Sequence, residues 1–220
     1  MRLLKLFRVT AAVFLLLLCT VHDTTAGEPK VAPSAGEICP ILVGSNIPDL
    51  TLSTYRGTPF DLTSAVRSQP TVLVVYRGGW CPYCTSQLAG LRKVMPELEP
   101  LGYQLIAISA DRPSKLRGTI EEQDLSYILL SDSAQVASKA LGLAFEVDRG
   151  TRTRYKGFGI DLHEASGMEH NILPVPAVFV LDMEGVVRFS YVNPDYRIRL
   201  DPAMLLAALE SVNRRDEQAK

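Results

Sequence analysis

The chain has 220 residues, 47% of them hydrophobic and 21% charged, with a formal net charge of −1. That is enough apolar material for one domain with a full-sized core. The near-neutral balance gives no basic bias toward nucleic acid, and no nucleic-acid partner is expected.

Arg2, Lys5 and Arg8 precede an apolar run over 9–19 and a polar stretch ending Thr24-Thr25-Ala26-Gly27. A basic start, a short apolar segment and a small-residue site form the pattern of a secretory signal. The run is shorter than the roughly 20 residues needed to span a bilayer. Residues 1–26 are therefore expected to be a signal peptide cut after Ala26, and the rest to be exported, periplasmic or extracellular. An uncleaved membrane anchor is the alternative. A lipoprotein acylated on Cys19 ranks low, because Leu18 is bulky where a small residue is expected. Processing would leave Cys39, Cys81 and Cys84, an odd count for an exported protein. Cys39 is read as a lone, partly buried thiol. Residues 27–40 are small, polar and Pro-containing, the composition of a tether, and 41–220 are read as one domain.

Along that domain, 47–52 alternate like a strand, and Arg56-Gly57-Thr58-Pro59 turns the chain into Phe60. Residues 71–76 are continuously apolar and β-branched, as in a central strand buried on both faces. After Cys81, Leu88, Leu91, Val94 and Met95 recur at helical spacing until Pro96. Residues 103–109 predict a strand, 116–124 a helix, 127–130 a strand and 133–141 a helix closed by Gly142. Residues 148–170, rich in Arg, Gly, Asp and His, fit neither period and are read as a surface excursion with at most short elements. Residues 177–181 and 186–192 form a hairpin around Asp182-Met183-Glu184-Gly185, and Asp201-Pro202 starts a terminal helix. This order predicts an α/β fold with a mixed central sheet and helices on both faces.

The segment Tyr76-Arg77-Gly78-Gly79-Trp80-Cys81-Pro82-Tyr83-Cys84 carries the chemistry. Two thiols three residues apart on a first helical turn face the same way. Cys81 sits at the helix start, where free N–H groups and the helix dipole favour a thiolate, so it is the expected nucleophile. Pro82 suits the first helical position. Trp80 is expected to pack beside the dithiol and shield it. A zinc site would need ligands such as Cys39, His163 and His170, whose spacings do not form a closed set. An i, i+3 structural bridge closes too small a loop to constrain the unfolded chain. Haem attachment needs a His where Thr85 stands. Redox exchange is the reading kept, with no metal and no organic cofactor. Arg149, Arg152, Arg154 and Lys156 read as a solvated basic patch, and His163 and His170 as proton donors or plain surface residues.

Trp80-Cys81-Pro82-Tyr83-Cys84 after an apolar strand resembles the active site of thioredoxin-fold proteins. Val175-Pro176-Ala177 is similar to the cis-proline turn that faces the dithiol there. The amino-terminal hairpin, Ala110-Asp111 after a strand, and Leu129-Leu130-Ser131-Asp132 are similar to the peroxiredoxin-like branch, the alkyl hydroperoxide reductase and thiol-specific antioxidant family, over roughly residues 40–210. The resemblance implies an antioxidant oxidoreductase that reduces peroxides through a Cys81–Cys84 dithiol–disulfide cycle. Arg77 would hold the thiolate and Pro176 would line the docking face. The substrate would be a peroxide or a protein disulfide, and the partner an external thiol reductant such as a thioredoxin-type protein. Exchange without peroxidase activity is one alternative, and a binding module with a structural Cys81–Cys84 bridge another. The chain departs from the family pattern at Gly78, where a Thr or Ser is usual, and lacks the upstream Pro. The arginine that the family brings from a later strand has Arg188 or Arg77 as its candidates here.

Overall fold

The computed structural model describes residues 31–218; the expected signal peptide and Cys19 lie outside them. A short 3-10 turn at Ala35–Glu37 leads into β1 (Thr51–Thr54) and β2 (Pro59–Asp61), an antiparallel hairpin. The Asp61 side chain then accepts the Ser64 N–H at 2.9 Å and caps α1 (Leu62–Ser68), a helix that the turn-rich composition around it conceals. Next come β3 (Thr71–Tyr76), α2 (Pro82–Leu98), β4 (Gln104–Ser109), α3 (Pro113–Gln123), β5 (Ile128–Ser131) and α4 (Val136–Ala140). The expected excursion over 148–170 holds two short helices, α5 (Arg149–Gly157) and α6 (Leu162–Ser166), flanked by a two-stranded ladder of β6 (Ala144–Glu146) and β7 (Ile172–Pro174). The chain closes with β8 (Ala177–Leu181), β9 (Val187–Val192) and α7 (Pro202–Gln218).

Seven strands form one mixed sheet in the order β2-β1-β5-β4-β3-β8-β9. β3, β4 and β5 run parallel, and β8 returns antiparallel to β3. All six β3 residues are buried, because alternate side chains enter different layers. Val72, Val74 and Tyr76 pack with α2 and α7, around Leu88, Leu205 and Leu209. Leu73 and Val75 pack with α1 and the α4 end, around Leu62, Val66 and Leu141. Each fully buried aliphatic side chain contributes roughly 1.5–3 kcal/mol, and helices on both faces follow from β3 having no wet side.

Four expectations change. Residues 32–41 are docked rather than a free tether: the Ala32 N–H donates to the Ala144 carbonyl at 2.9 Å, the Ile41 N–H donates to that of Leu141 at 3.1 Å, and Ile38 and Ile41 cover the second layer. That docking leaves Cys39 exposed instead of partly buried. The Val175–Pro176 bond is trans, since there are no cis peptides among the described residues. β7 runs into β8 as nearly continuous extended chain, so no tight reversal calls for the other isomer. Pro96 does not end α2; the helix continues to the fully buried Leu98, whose packing offsets the backbone bond that proline removes.

Candidate active site

β3 ends at Tyr76, and after five intervening residues α2 begins at Pro82, with Cys81 as its N-cap. Parallel β3 and β4 place this turn at their carboxyl ends, where open α/β sheets carry their sites. Gly78 has φ +152°, and a Cβ there would meet Trp80 Nε1 at 2.2 Å and Asp111 Oδ1 at 2.7 Å. A Cβ on Gly79 would meet Thr119 Oγ1 at 2.2 Å. The two glycines are therefore needed for a close approach of backbone to side chains. Asp111, buried after β4, accepts the Gly79 N–H at 2.7 Å and pins the turn. Burial pushes its carboxyl up to about 6, against the Gly79 N–H, the Ser109 hydroxyl and the Trp80 indole, which favour the ionised form.

Cys81 is 2% exposed and Cys84 fully buried, and both are free thiols. The Cys81 pKa is lowered to about 6. The Cys84 thiol contributes most by donating to the sulfur, and the Arg77 charge, the Cys84 backbone N–H and the Arg199 charge add to it against the cost of burial. Cys84 is driven up, first by burial and then by serving as that donor. The two thiols are thus split, Cys81 toward thiolate and Cys84 toward thiol, with the hydrogen bond from Cys84 as the leading cause at Cys81.

Arg77 is 2% exposed and enclosed by aromatic rings. Its guanidinium lies 4.1 Å from the Tyr196 ring centroid, 5.1 Å from Trp80 and 5.3 Å from Tyr155, and it donates a hydrogen bond to the Tyr155 hydroxyl. Desolvated cation–π contacts of this kind are worth about 2 kcal/mol. Tyr155 comes from α5, so the Arg-rich excursion delivers a wall of the site. Its basic residues do not reach the sulfurs; Arg149, Arg152 and Lys156 line a separate 210 Å³ cleft.

Of the residues expected from sequence, Cys81, Cys84, Arg77, Trp80 and Pro82 are brought together. Pro176 lies one residue beyond the Val75–Ala177 pair of the β3–β8 ladder, beside the end of β3. It is buried and so does not line an open docking face. Arg188 pairs with Asp182 at 3.2 Å and is not the arginine at the sulfurs; that place is taken by Arg199, whose Nη2 lies 3.3 Å from Cys84 Sγ. His163 Nε2 bonds Asn171 at 2.8 Å, while His170 Nε2 donates to the Ser133 carbonyl at 2.7 Å and its Nδ1 accepts the Ile172 N–H. Both rings hold the excursion in place. No group of three or more His, Cys, Asp or Glu side chains among the described residues could hold a metal ion. Asp111, Tyr155, Tyr196 and Arg199 are the residues that sequence reasoning missed.

A mixed α/β sheet with a Cys-x-x-Cys at the helix start after a central strand defines a thioredoxin-fold dithiol protein. The model of the AhpC/TSA family matches residues 43–190, two thirds of the chain, and the chain belongs to that family. A putative peroxiredoxin bcp of Haemophilus influenzae is 34% identical over 104 residues, 47% of this chain and 66% of that protein. The chloroplastic peroxiredoxin Q of Triticum aestivum is 28% identical over 163 residues, 74% of this chain and 64% of the relative. The chain thus spans just under two thirds of the length of these curated relatives. Among solved structures, reduced Prx3 of Vibrio vulnificus with H2O2 has a TM-score of 0.63 at 21% identity, covering 77% of this chain and 99% of that one. Peroxidoxin BcpB of Mycobacterium tuberculosis has a TM-score of 0.59 at 22% identity, covering 77% and 96%. These likenesses establish the peroxiredoxin fold.

Proposed function

We propose that this protein is a thiol-dependent peroxidase, with Cys81 attacking the peroxide and Cys84 resolving the product. The observation that carries this reading is a Cys81 thiolate that is stabilised and yet 2% exposed. Hydrogen peroxide has two heavy atoms and needs only a narrow approach. The names of the relatives support the same choice.

The Cys81 thiolate attacks one peroxide oxygen, the O–O bond breaks, and the second oxygen leaves as water or an alcohol after taking a proton. Cys81 is then a sulfenic acid. The Cys84 sulfur attacks it, the S–S bond forms and a second water leaves. An external dithiol, of thioredoxin type in this proposal, is oxidised to its own disulfide as the pair is reduced.

Stopped-flow mixing with hydrogen peroxide tests this. Thiol oxidation is expected to outpace a small-molecule thiol by about two orders of magnitude at pH 7. A depressed thiol pKa means more thiolate as pH rises, so the rate should climb through about pH 6 and level off above it. Cys84→Ser should still react once and then stall as a sulfenic acid that dimedone traps. Oxidation no faster than that of a free thiol, together with reduction of insulin disulfides, would replace the peroxidase reading with dithiol exchange.

We also propose export, on the basic start and short apolar run before Ala26. Mass spectrometry of protein from the native host should find Gly27 at the amino terminus; an intact Met1 in the membrane fraction would mean an anchor.

A further inference from the structure

Cys84 has no solvent exposure, yet a guanidinium is aimed at it. Arg199 arrives from the segment between β9 and α7, 115 residues along the chain, and places Nη2 3.3 Å from the sulfur. Its Nε and Nη1 are buried without hydrogen-bond partners among the described residues. The nearest acids in sequence are committed elsewhere: Asp195 binds Arg197 at 2.7 Å, and Asp201 accepts the Ala203 N–H at 2.8 Å. A cation held this way is costly unless negative charge develops in front of it. The atom its Nη2 reaches is one that becomes negative whenever Cys84 gives up its proton.

We propose that Arg199 is the catalytic residue of the second half of the cycle, stabilising negative charge on the Cys84 sulfur as the disulfide closes and again as it reopens. This rests on the peroxidase reading above. On closing, Cys84 loses its proton, its sulfur bonds to Cys81, the Cys81 S–O bond breaks, and hydroxide leaves with that proton as water. On reopening, a thiolate of the external dithiol attacks Cys81, the S–S bond breaks, and Cys84 departs as a thiolate. The second thiol of that dithiol then releases Cys81, so the dithiol supplies both electrons. The groups that face Cys84 are Cys81, Arg199, the Arg77 backbone and the Tyr76 phenol. Burial and the charge on Cys81 both oppose ionisation of Cys84, and of the side chains facing it Arg199 is the cation that favours it. Arg199 therefore acts on Cys84 directly, while its charge, with that of Arg77, also favours the Cys81 thiolate.

Two measurements test the assignment. In a Cys39→Ser/Cys81→Ser protein, the thiolate absorbance of Cys84 is titrated with Arg199, Arg199→Lys and Arg199→Met. The midpoint should rise by about one unit or more in Arg199→Met and stay closer to the parent in Arg199→Lys. With all cysteines present, one equivalent of hydrogen peroxide is added and the sulfenic acid is timed against disulfide formation. Arg199→Met should lengthen its life roughly tenfold to a hundredfold, the worth of a hydrogen bond to a charged group, with Arg199→Lys between. Circular dichroism identifies any variant that fails to fold, and Arg199→Lys keeps the test open if the methionine variant does. A folded Arg199→Met protein with the parent's Cys84 midpoint and the parent's rate of disulfide closure would overturn the proposal. If the unsubstituted protein yields no sulfenic acid, the peroxidase reading fails, and the Cys84 titration still decides the role of Arg199.

Discussion

Replacing Arg77 by methionine is expected to slow the reaction of Cys81 with hydrogen peroxide by roughly two orders of magnitude at pH 7. Two effects act in the same direction. The Arg77 charge is one of the groups that hold Cys81 near 6, so its loss raises the thiol pKa and thins the thiolate at neutral pH. If peroxide reacts at Cys81 as proposed, the same charge also favours the negative charge that builds on the departing oxygen, and fixed charge in a dry site acts at no cost in reorganisation. The two are separable by a pH profile. If only the thiolate population matters, Arg77→Met regains the parent rate at high pH; if transition-state charge matters too, the plateau itself falls. Arg77→Lys should restore part of the charge but not the stacking, because a compact ammonium cannot lie flat between Trp80, Tyr155 and Tyr196. A parent-like rate and midpoint in Arg77→Met would transfer the whole role to the helix start and Cys84.

The second large effect runs against family likeness. Gly78→Thr installs the residue type usual at that place in peroxiredoxins, yet it should damage this protein. A side chain on a backbone at φ +152° is strained, and its Cβ would stand 2.2 Å from the Trp80 indole nitrogen. Strain of this kind costs about 1–3 kcal/mol, and displacing Trp80 adds lost packing. The melting temperature should fall by about 5–10 °C for a chain of this size, and the peroxide rate by at least about tenfold as the turn before Cys81 shifts. Thermal unfolding and stopped-flow oxidation on one preparation would check both. A Gly78→Thr protein as stable as the parent and faster with peroxide would show that the hydroxyl was simply missing.

The middle of the fold was legible because its signals are local. The 71–76 run, the two glycines, Trp80 and the Cys-x-x-Cys follow one another along the chain, and β3, α2 and β4 form where their patterns predict. Helix α5 was opaque because it has no apolar stripe and no buried residue; it is set by the Asp148 cap, which accepts the Thr151 N–H at 2.9 Å, and by one ring laid on Arg77. Tyr196 and Arg199 lie in a stretch with no regular period, so nothing nearby in sequence foretells that they meet Arg77 and Cys84. Asp111 was visible only as part of the Ala110-Asp111 pair in the family resemblance, with no role assigned to it at the site. Its burial beneath the Gly78–Gly79 turn depends on the β3–β4 register, which pairs Tyr76 with Ser109. The trans Val175–Pro176 bond shows the reverse case, a local motif whose surroundings removed the need for its usual geometry.

Trp80 is the one tryptophan in the chain, and its ring lies 5.1 Å from the Arg77 guanidinium and 5.8 Å from the Tyr155 ring. Excitation at wavelengths that tyrosine does not absorb therefore selects a single indole on the turn before Cys81. Its emission will carry no background from elsewhere in the protein. A change of charge or bonding at Cys81 is expected to alter the field and the quenching groups around that ring, so the molecule contains its own optical reporter for the steps of the proposed cycle.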